Sequence, residues 1–279
     1  MTSTLKIIGA VYLLVIQVFA VQAGPEEDRR AFFDHYRTIY PDLPLDAYAD
    51  GVYAIDQDAR ESWEAIEAFP PYELAIEKGK IAFDQPFKNG KAYADCFPHH
   101  NQGIAHLYPQ WNAIKGKVIT LALALNECRE ANGEASLPYS DSRIAELLAY
   151  MAESSRGKPV SIAIPENDPR ALAAYEEGKR YYYQRRGQLN FACATCHVQN
   201  VGKQLRSEIL SPSLGHTTHW PVYRLKWGEI GNLHRRFAEC HEQIRAPKPA
   251  EQSSELRHLE YFLSFMSNGI PVNGPSTRK

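Results

Sequence analysis

One series of landmarks runs through this chain of 279 residues twice, in the same order and with matching separations. Glu77-Lys78-Gly79-Lys80 answers Glu176-Glu177-Gly178-Lys179, each a comparable stretch ahead of a cysteine, Cys96 or Cys193. Pro109, Gly116 and Cys128 follow one another at a short and then a longer interval, and Pro221, Gly228 and Cys240 repeat both intervals without change. Leu147-Leu148-Ala149-Tyr150-Met151 leads to Gly157-Lys158-Pro159-Val160, as Leu259-Glu260-Tyr261-Phe262-Leu263 leads to Gly269-Ile270-Pro271-Val272. Chance supplies one such agreement but hardly all of them, so the chain reads as two copies of one fold. The copies are assigned to residues 71–161 and 170–279, joined near Ile162 to Pro169, with residues 24–70 as an N-terminal extension. Apolar spacing suits helices in Trp63 to Phe69, Val118 to Glu130, Arg143 to Glu153 and Leu256 to Met266, and strand alternation is scarce. A mostly α fold is expected. The extension, rich in charged and aromatic side chains, is expected to wrap the two copies or a partner.

Ahead of the extension, Ile7 to Ala23 is an uncharged run that follows Lys6 and closes on Val21-Gln22-Ala23. This is the pattern of a secretory signal peptide over residues 1–23, with cleavage before Gly24; the alternative is an uncleaved anchor helix. Either way the remainder is exported, and a hydrophobic fraction of 44% with 23% charged residues suits a globular chain. Charge is unevenly placed. Residues 24–178 hold 15 basic and 26 acidic side chains, net −11, whereas residues 179–248 hold 12 basic and 4 acidic, net +8. A local cationic field gathers anions. An exported protein rarely meets nucleic acid, so a small anion or an acidic protein face is the expected ligand.

Five cysteines, Cys96, Cys128, Cys193, Cys196 and Cys240, cannot all pair within an exported chain. Cys193-Ala194-Thr195-Cys196-His197 is a C-x-x-C-H motif, in which two thiols bond the haem vinyl groups and the histidine ligates iron. Half a zinc site would need a second such pair, which is absent from the sequence. A thioredoxin-like redox pair should follow a strand, but Tyr181 to Asn190 reads as a polar loop. One covalently bound haem c is therefore expected, and the fold becomes a tandem duplication of cytochrome c-like domains. For the second axial ligand the downstream candidates are His216, His219, His234, Cys240, His241, His258 and Met266.

The copies differ where chemistry is at stake. Cys96-Phe97-Pro98-His99-His100 stands in place of the motif and lacks the second thioether cysteine, so the first copy is expected to be without haem. A disulfide between Cys96 and Cys128 would replace some of the lost cross-linking; the alternative is a haem held noncovalently by His100. Cys240 then remains as a lone sulfur and the leading iron ligand, with a buried inert thiol as the other reading. Arg236 lies four residues before Cys240, on the same face of any helix from His234 to Glu242, and its counterpart in the first copy is Ala124. Guanidinium binds planar oxyanion edges, so Arg236 reads as an anion clamp; a surface arginine or a haem-propionate partner is the alternative.

With its leader, its paired copies, the Cys193 to His197 motif and the late Arg-x-x-x-Cys of Arg236 and Cys240, the chain resembles the SoxA family, catalytic subunits of the SoxAX thiosulfate-oxidising cytochromes. The missing second cysteine places the resemblance with single-haem members, for which a Cys96–Cys128 disulfide is implied. The resemblance implies a periplasmic L-cysteine S-thiosulfotransferase that couples thiosulfate to a cysteine thiol of the carrier protein SoxYZ, with electrons leaving through haem to the SoxX subunit. It further implies His197 and Cys240 as axial ligands, Cys193 and Cys196 as thioether anchors, Arg236 as the thiosulfate-binding side chain, and Cys240 as the catalytic sulfur, in some members a persulfide. The alternative is a periplasmic electron-transfer cytochrome without sulfur transfer.

Overall fold

A computed structural model describes residues 24–97, 99 and 103–279. The leader and His100 lie outside these residues. Each copy pairs two long helices that cross on a glycine: α3 (Glu73–Asp84) meets α6 (Ser142–Glu153), and α7 (Pro169–Tyr183) meets α10 (Ser254–Met266). A Cβ on Gly79 would lie 2.6 Å from the Glu146 carbonyl carbon, and one on Gly178 would lie 2.6 Å from that of His258. Only a residue without a side chain lets the backbones approach so closely. Aromatic packing repeats too: Phe83 to Tyr150 is 5.3 Å between ring centroids, and Tyr182 to Phe262 is 5.4 Å.

Between its long helices each copy carries a short hairpin and a third helix. In the first copy β1 (Gln110–Asn112) and β2 (Lys117–Ile119) lead to α5 (Leu121–Ala131). In the second, β5 (Val222–Arg224) and β6 (Glu229–Gly231) lead to α9 (Leu233–Gln243). Gly116 and Gly228 take φ of 58° and 68° in the hairpin turns, a conformation L side chains rarely adopt. Thr120 and Asn232 cap the two helices, accepting from Leu123 N at 3.1 Å and Arg235 N at 2.8 Å. The helix predicted from Val118 thus begins at Leu121. Val118 and Ile119 are the buried end of β2, and the Thr120 hydroxyl fixes the changeover.

The copies join through a self-matching backbone exchange. Val160 N donates to Ile270 O at 2.9 Å and Val272 N to Lys158 O at 2.8 Å, the same bond made in each direction. The second copy departs most between its cysteine motif and its hairpin: the stretch from Cys193 to Pro221 is more than twice as long as that from Cys96 to Pro109. The longer segment carries β3 (Gln204–Leu205), β4 (Glu208–Ile209) and a turn at Ser211 to His216. In the first copy Cys96, at the end of α4 (Tyr93–Cys96), is joined to Cys128 of α5 by a disulfide. That bond borders a cleft whose walls include Tyr108, Trp111, Ala124 and Glu127.

The N-terminal extension packs on the second copy. In α1 (Pro25–Ile39) Pro25 starts the helix and Glu26, Glu27 and Asp28 occupy its positive end. Phe32 and Tyr36, one helical turn apart, join the core that also holds Tyr175, Tyr182 and Phe262. Asp28 accepts from Tyr175 Oη at 2.9 Å and from Lys179 Nζ at 2.5 Å. A 3-10 segment at Leu45–Ala54 buries Tyr48 and Tyr53, and α2 (Gln57–Glu67) stacks Trp63 on Tyr53 at 4.9 Å. Glu67 then accepts from Thr277 N at 2.7 Å in β7 (Ser276–Arg278), which pairs in parallel with β5. No helix among the described residues is long and apolar enough to cross a membrane.

Candidate haem-binding active site

Cys193–His197 forms one helical turn, α8, so both thiols and the imidazole leave from a single short element. Ala192 N donates to Thr195 Oγ1 at 3.0 Å and fixes the start of that turn. His197 Nδ1 bonds the Ser211 carbonyl at 2.9 Å. A carbonyl only accepts, so Nδ1 carries the proton and Nε2 keeps the lone pair a metal requires. Burial pulls the His197 pKa down to about 4, so the ring is neutral near pH 7. Burial, and then the charge of the Cys240 sulfur, push the Cys193 thiol up to about 12; the same two causes raise Cys196.

Helix α9 brings Cys240 and Arg236 close enough to act electrostatically on the motif residues. Leu233, Phe237 and His241 face inward at four-residue steps, which places Arg236, Glu239 and Cys240 together on another face. Burial lowers the Arg236 pKa, but the Cys240 sulfur and the Glu239 carboxylate outweigh it and raise the value. Arg236 Nη1 donates to Glu239 Oε2 at 2.6 Å. The same carboxylate takes Arg224 Nη1 at 2.6 Å and Lys226 Nζ at 2.5 Å, both from the β5–β6 hairpin. Arg224 is fixed from its other side, donating from Nε to the Lys279 carbonyl at 2.6 Å. Glu208 lies farther off, 3.9 Å from Arg224, so three cations meet two carboxylates and the patch keeps a positive surplus. The first copy has a reduced form of this arrangement, with Glu127 taking Lys115 at 2.9 Å and Lys117 at 3.0 Å and no guanidinium at Ala124.

The structure brings Cys193, Cys196, His197, Arg236 and Cys240 together. Most other candidate ligands already have ring partners. His241, beside Cys240, turns away, with Nδ1 at 2.7 Å from the Phe237 carbonyl and Nε2 at 2.7 Å from Tyr181 Oη. His234 is buried against Gln252 N and Glu260, and His258 pairs with Glu177 at 2.8 Å. His216 bonds Ser211 Oγ at 2.9 Å with its ring 4.4 Å from that of His197. His219 is buried, 3.6 Å from a Cβ built on Gly51, and Met266 is buried in the core. Sequence reasoning missed Glu239, Arg224, Lys226 and Ser211. The register that aligns Cys128 with Cys240 also aligns Glu127 with Glu239 and was a usable signal for that residue. Ser211 acts through its backbone carbonyl, for which no sequence signal exists.

Two thiols and a neutral imidazole with its lone pair free, on one turn in a helical fold, fit a covalently attached haem. Fold and site together define a c-type cytochrome. The family model described as the SoxA/TsdA cytochrome c domain matches residues 78–160. The L-cysteine S-thiosulfotransferase subunit SoxA of Allochromatium vinosum is 55% identical, over 92% of this chain and 91% of the relative. The protein of that name from Chlorobaculum tepidum is 47% identical, over 92% and 89%. The crystal structure of SoxXA from P. pantotrophus superposes with a TM-score of 0.71 at 27% identity, covering 78% of this chain and 84% of that one. The chain belongs to the SoxA family.

Proposed function

We propose that this chain is the catalytic subunit of a periplasmic L-cysteine S-thiosulfotransferase, which joins thiosulfate to a cysteine thiol of the carrier protein SoxYZ and works as a heterodimer with the cytochrome SoxX. The names of its relatives support this reading. A single observation of this chain carries it: Arg236 and Cys240 sit one turn apart beside the C-x-x-C-H turn, within a cluster of three cations. An electron carrier needs no such arrangement. Residues 71–161 form the haem-free domain, residues 170–279 the domain with one haem c, and residues 24–70 an extension of the latter. The export motif and the Cys96–Cys128 disulfide suit an oxidising compartment.

Cys193 and Cys196 would hold the haem covalently, and His197 and Cys240 would supply the nitrogen and sulfur for its iron. When bound, the haem would supply the electron acceptor between the reacting sulfurs and SoxX. In the net reaction the carrier thiolate and the thiosulfate dianion form one sulfur–sulfur bond and release two electrons, leaving a carrier S–S–sulfonate with a single negative charge. The cation cluster draws in the dianion. Arg236 takes the sulfonate edge while sharing its guanidinium with Glu239, which leaves the terminal sulfur directed to Cys240. The Cys240 sulfur is where sulfur bonds are made and exchanged. Cys240→Ala is expected to abolish thiosulfate-dependent turnover with haem retained, read by intact mass and steady-state assay; retained turnover removes Cys240 from the reaction.

A further inference from the structure

We infer that Tyr36, in the N-terminal extension, is a positioning residue for the proximal side of the haem: its hydroxyl binds together the backbone of His197 and the turn that orients the His197 ring. The inference rests on ligation by His197. Tyr36 is fully buried, at 0% exposure, on α1. Its Oη donates to the His197 carbonyl at 2.6 Å, from the far end of the sequence, and accepts from Ser213 N at 3.1 Å. α8 ends at His197, so that carbonyl is one of those a helix end leaves without an internal partner. Ser213 lies two residues beyond Ser211, whose carbonyl receives the His197 Nδ1 proton at 2.9 Å.

One phenol oxygen therefore closes a ring of contacts from His197 backbone to Ser213, along the chain to Ser211, and back to the His197 ring. The Tyr182 hydroxyl bonds Ser213 Oγ and steadies the same turn. Tyr36 is itself held edge-on to Phe32 at 5.2 Å, on a helix tied to α7 through Asp28 and Lys179. This turn lies in the segment by which the second copy exceeds the first. The haem-side loop is thus long, and a remote tyrosine supplies the constraint that its length removes. A hydrogen bond to the free nitrogen of an iron-bound imidazole raises the basicity of the ligand. Loosening the turn weakens that bond and stabilises the ferric state less, which moves the reduction potential upward.

The test is Tyr36→Phe in the full-length holoprotein, with Tyr48→Phe as the control. Tyr48 lies in the same core, 6.0 Å from Tyr36 between centroids, and its buried hydroxyl has no hydrogen-bond partner among the described residues. Tyr36→Phe is expected to keep its haem by intact mass, to raise the reduction potential and to move the low-spin ferric electron paramagnetic resonance signals; Tyr48→Phe is expected to leave both unchanged. An unchanged potential and spectrum in Tyr36→Phe, or an equal shift in Tyr48→Phe, overturns the inference. His197→Ala separates the two readings: an unaltered spectrum there refutes ligation by His197, whereas an altered one beside a silent Tyr36→Phe refutes only the role of Tyr36. If Tyr36→Phe does not fold, hydrogen exchange on the wild-type holoprotein decides. The Ser213 amide is expected among the slowly exchanging amides, and exchange at the rate of an exposed loop overturns the inference.

Discussion

The helix crossings at Gly79 and Gly178 set two effects of opposite sign against each other, and their sizes settle which prevails. Both glycines lie inside helices, where alanine is favoured by about 1 kcal/mol on intrinsic propensity. In Gly178→Ala the new Cβ would stand 2.6 Å from the His258 carbonyl carbon and 3.0 Å from Phe262 Cβ. Unbonded carbons pack at about 3.5–4.0 Å, so α7 and α10 must part by about 1 Å. The obstacle is helical backbone, which cannot swing aside. Tyr175, Phe262 and Phe265 pack across this crossing at centroid distances of 5.5 and 5.6 Å. A gap of about 1 Å forfeits up to half of the contact energy of each, and strain adds to it, for about 3–4 kcal/mol together. The net expectation is destabilisation by about 2–3 kcal/mol, read by urea unfolding of the holoprotein. Gly79→Ala should cost a similar amount, since its Cβ would meet Glu146 and Tyr150 at 2.6 and 3.1 Å. Only Gly178→Ala should disturb the haem spectrum. An alanine variant as stable as wild type at either position would refute the steric account and show propensity to dominate.

Three further perturbations probe separate parts of the molecule. The Cys96–Cys128 disulfide joins positions 32 apart in sequence, so Cys96→Ser with Cys128→Ser should cost about 4 kcal/mol on the loop-entropy model; denaturant unfolding checks this, and haem content should stay constant. Asp168 accepts from Arg170 and from Trp111 Nε1 at 2.8 Å, and these bonds hold its carboxyl well below the ordinary 3.8. A depressed carboxyl stabilises above its unfolded value and loses that contribution as pH falls through the folded one, so the stability gap between wild type and Asp168→Asn should be full at about pH 6 and shrink below about pH 4; a gap constant with pH in thermal melts would contradict the assignment. Arg236→Ala removes a charge-assisted contact of about 1.5–3 kcal/mol, so kcat/KM for thiosulfate should fall about 10- to 100-fold in steady-state assays, and unchanged kinetics would reject the clamp.

The duplication was legible because several of its landmarks are residues that backbone geometry demands: the glycines where helices touch and the glycines in the hairpin turns. Such positions survive in a single sequence as fixed spacings. The motif turn and α9 were legible for the related reason that the chemistry proposed for Cys193, Cys196, His197, Arg236 and Cys240 needs set separations. Short strands were not. Val118 and Ile119 read as the start of a helix because two buried apolar residues before an apolar helix have no period of their own. The end of α7, which runs to Tyr183, falls within Tyr181 to Asn190, whose mostly polar composition reads as a loop. The place of the extension was illegible for a stronger reason. Phe32, Tyr36 and Tyr48 reach partners in the opposite half of the chain, and nothing local in their sequence names those partners. Glu239 was overlooked because a glutamate three residues after an arginine looks like an ordinary surface pair.

The uneven charge seen in the sequence acquires a location from these contacts. Of the four acids between residues 179 and 248, Glu208 faces Arg224, Glu229 pairs with Arg235, Glu239 takes Arg224, Lys226 and Arg236, and Glu242 pairs with Lys248. Every local acid is therefore already engaged. Arg185, Arg186 and Lys203 bond instead to the neutral oxygens of Asn190, Tyr181 and Asn200, so these bonds hold their positions without cancelling their charge. Lys179 is the exception: it pairs with Asp28 of the extension and docks α1 onto the domain. Screening at physiological salt confines surface fields to about 8 Å. The surplus therefore acts close to its sources, around α8 and the hairpin, where Cys240 and Arg236 stand. In the proposed reaction this field would draw the thiosulfate dianion toward Cys240, and acids farther away than the screening length would not cancel it.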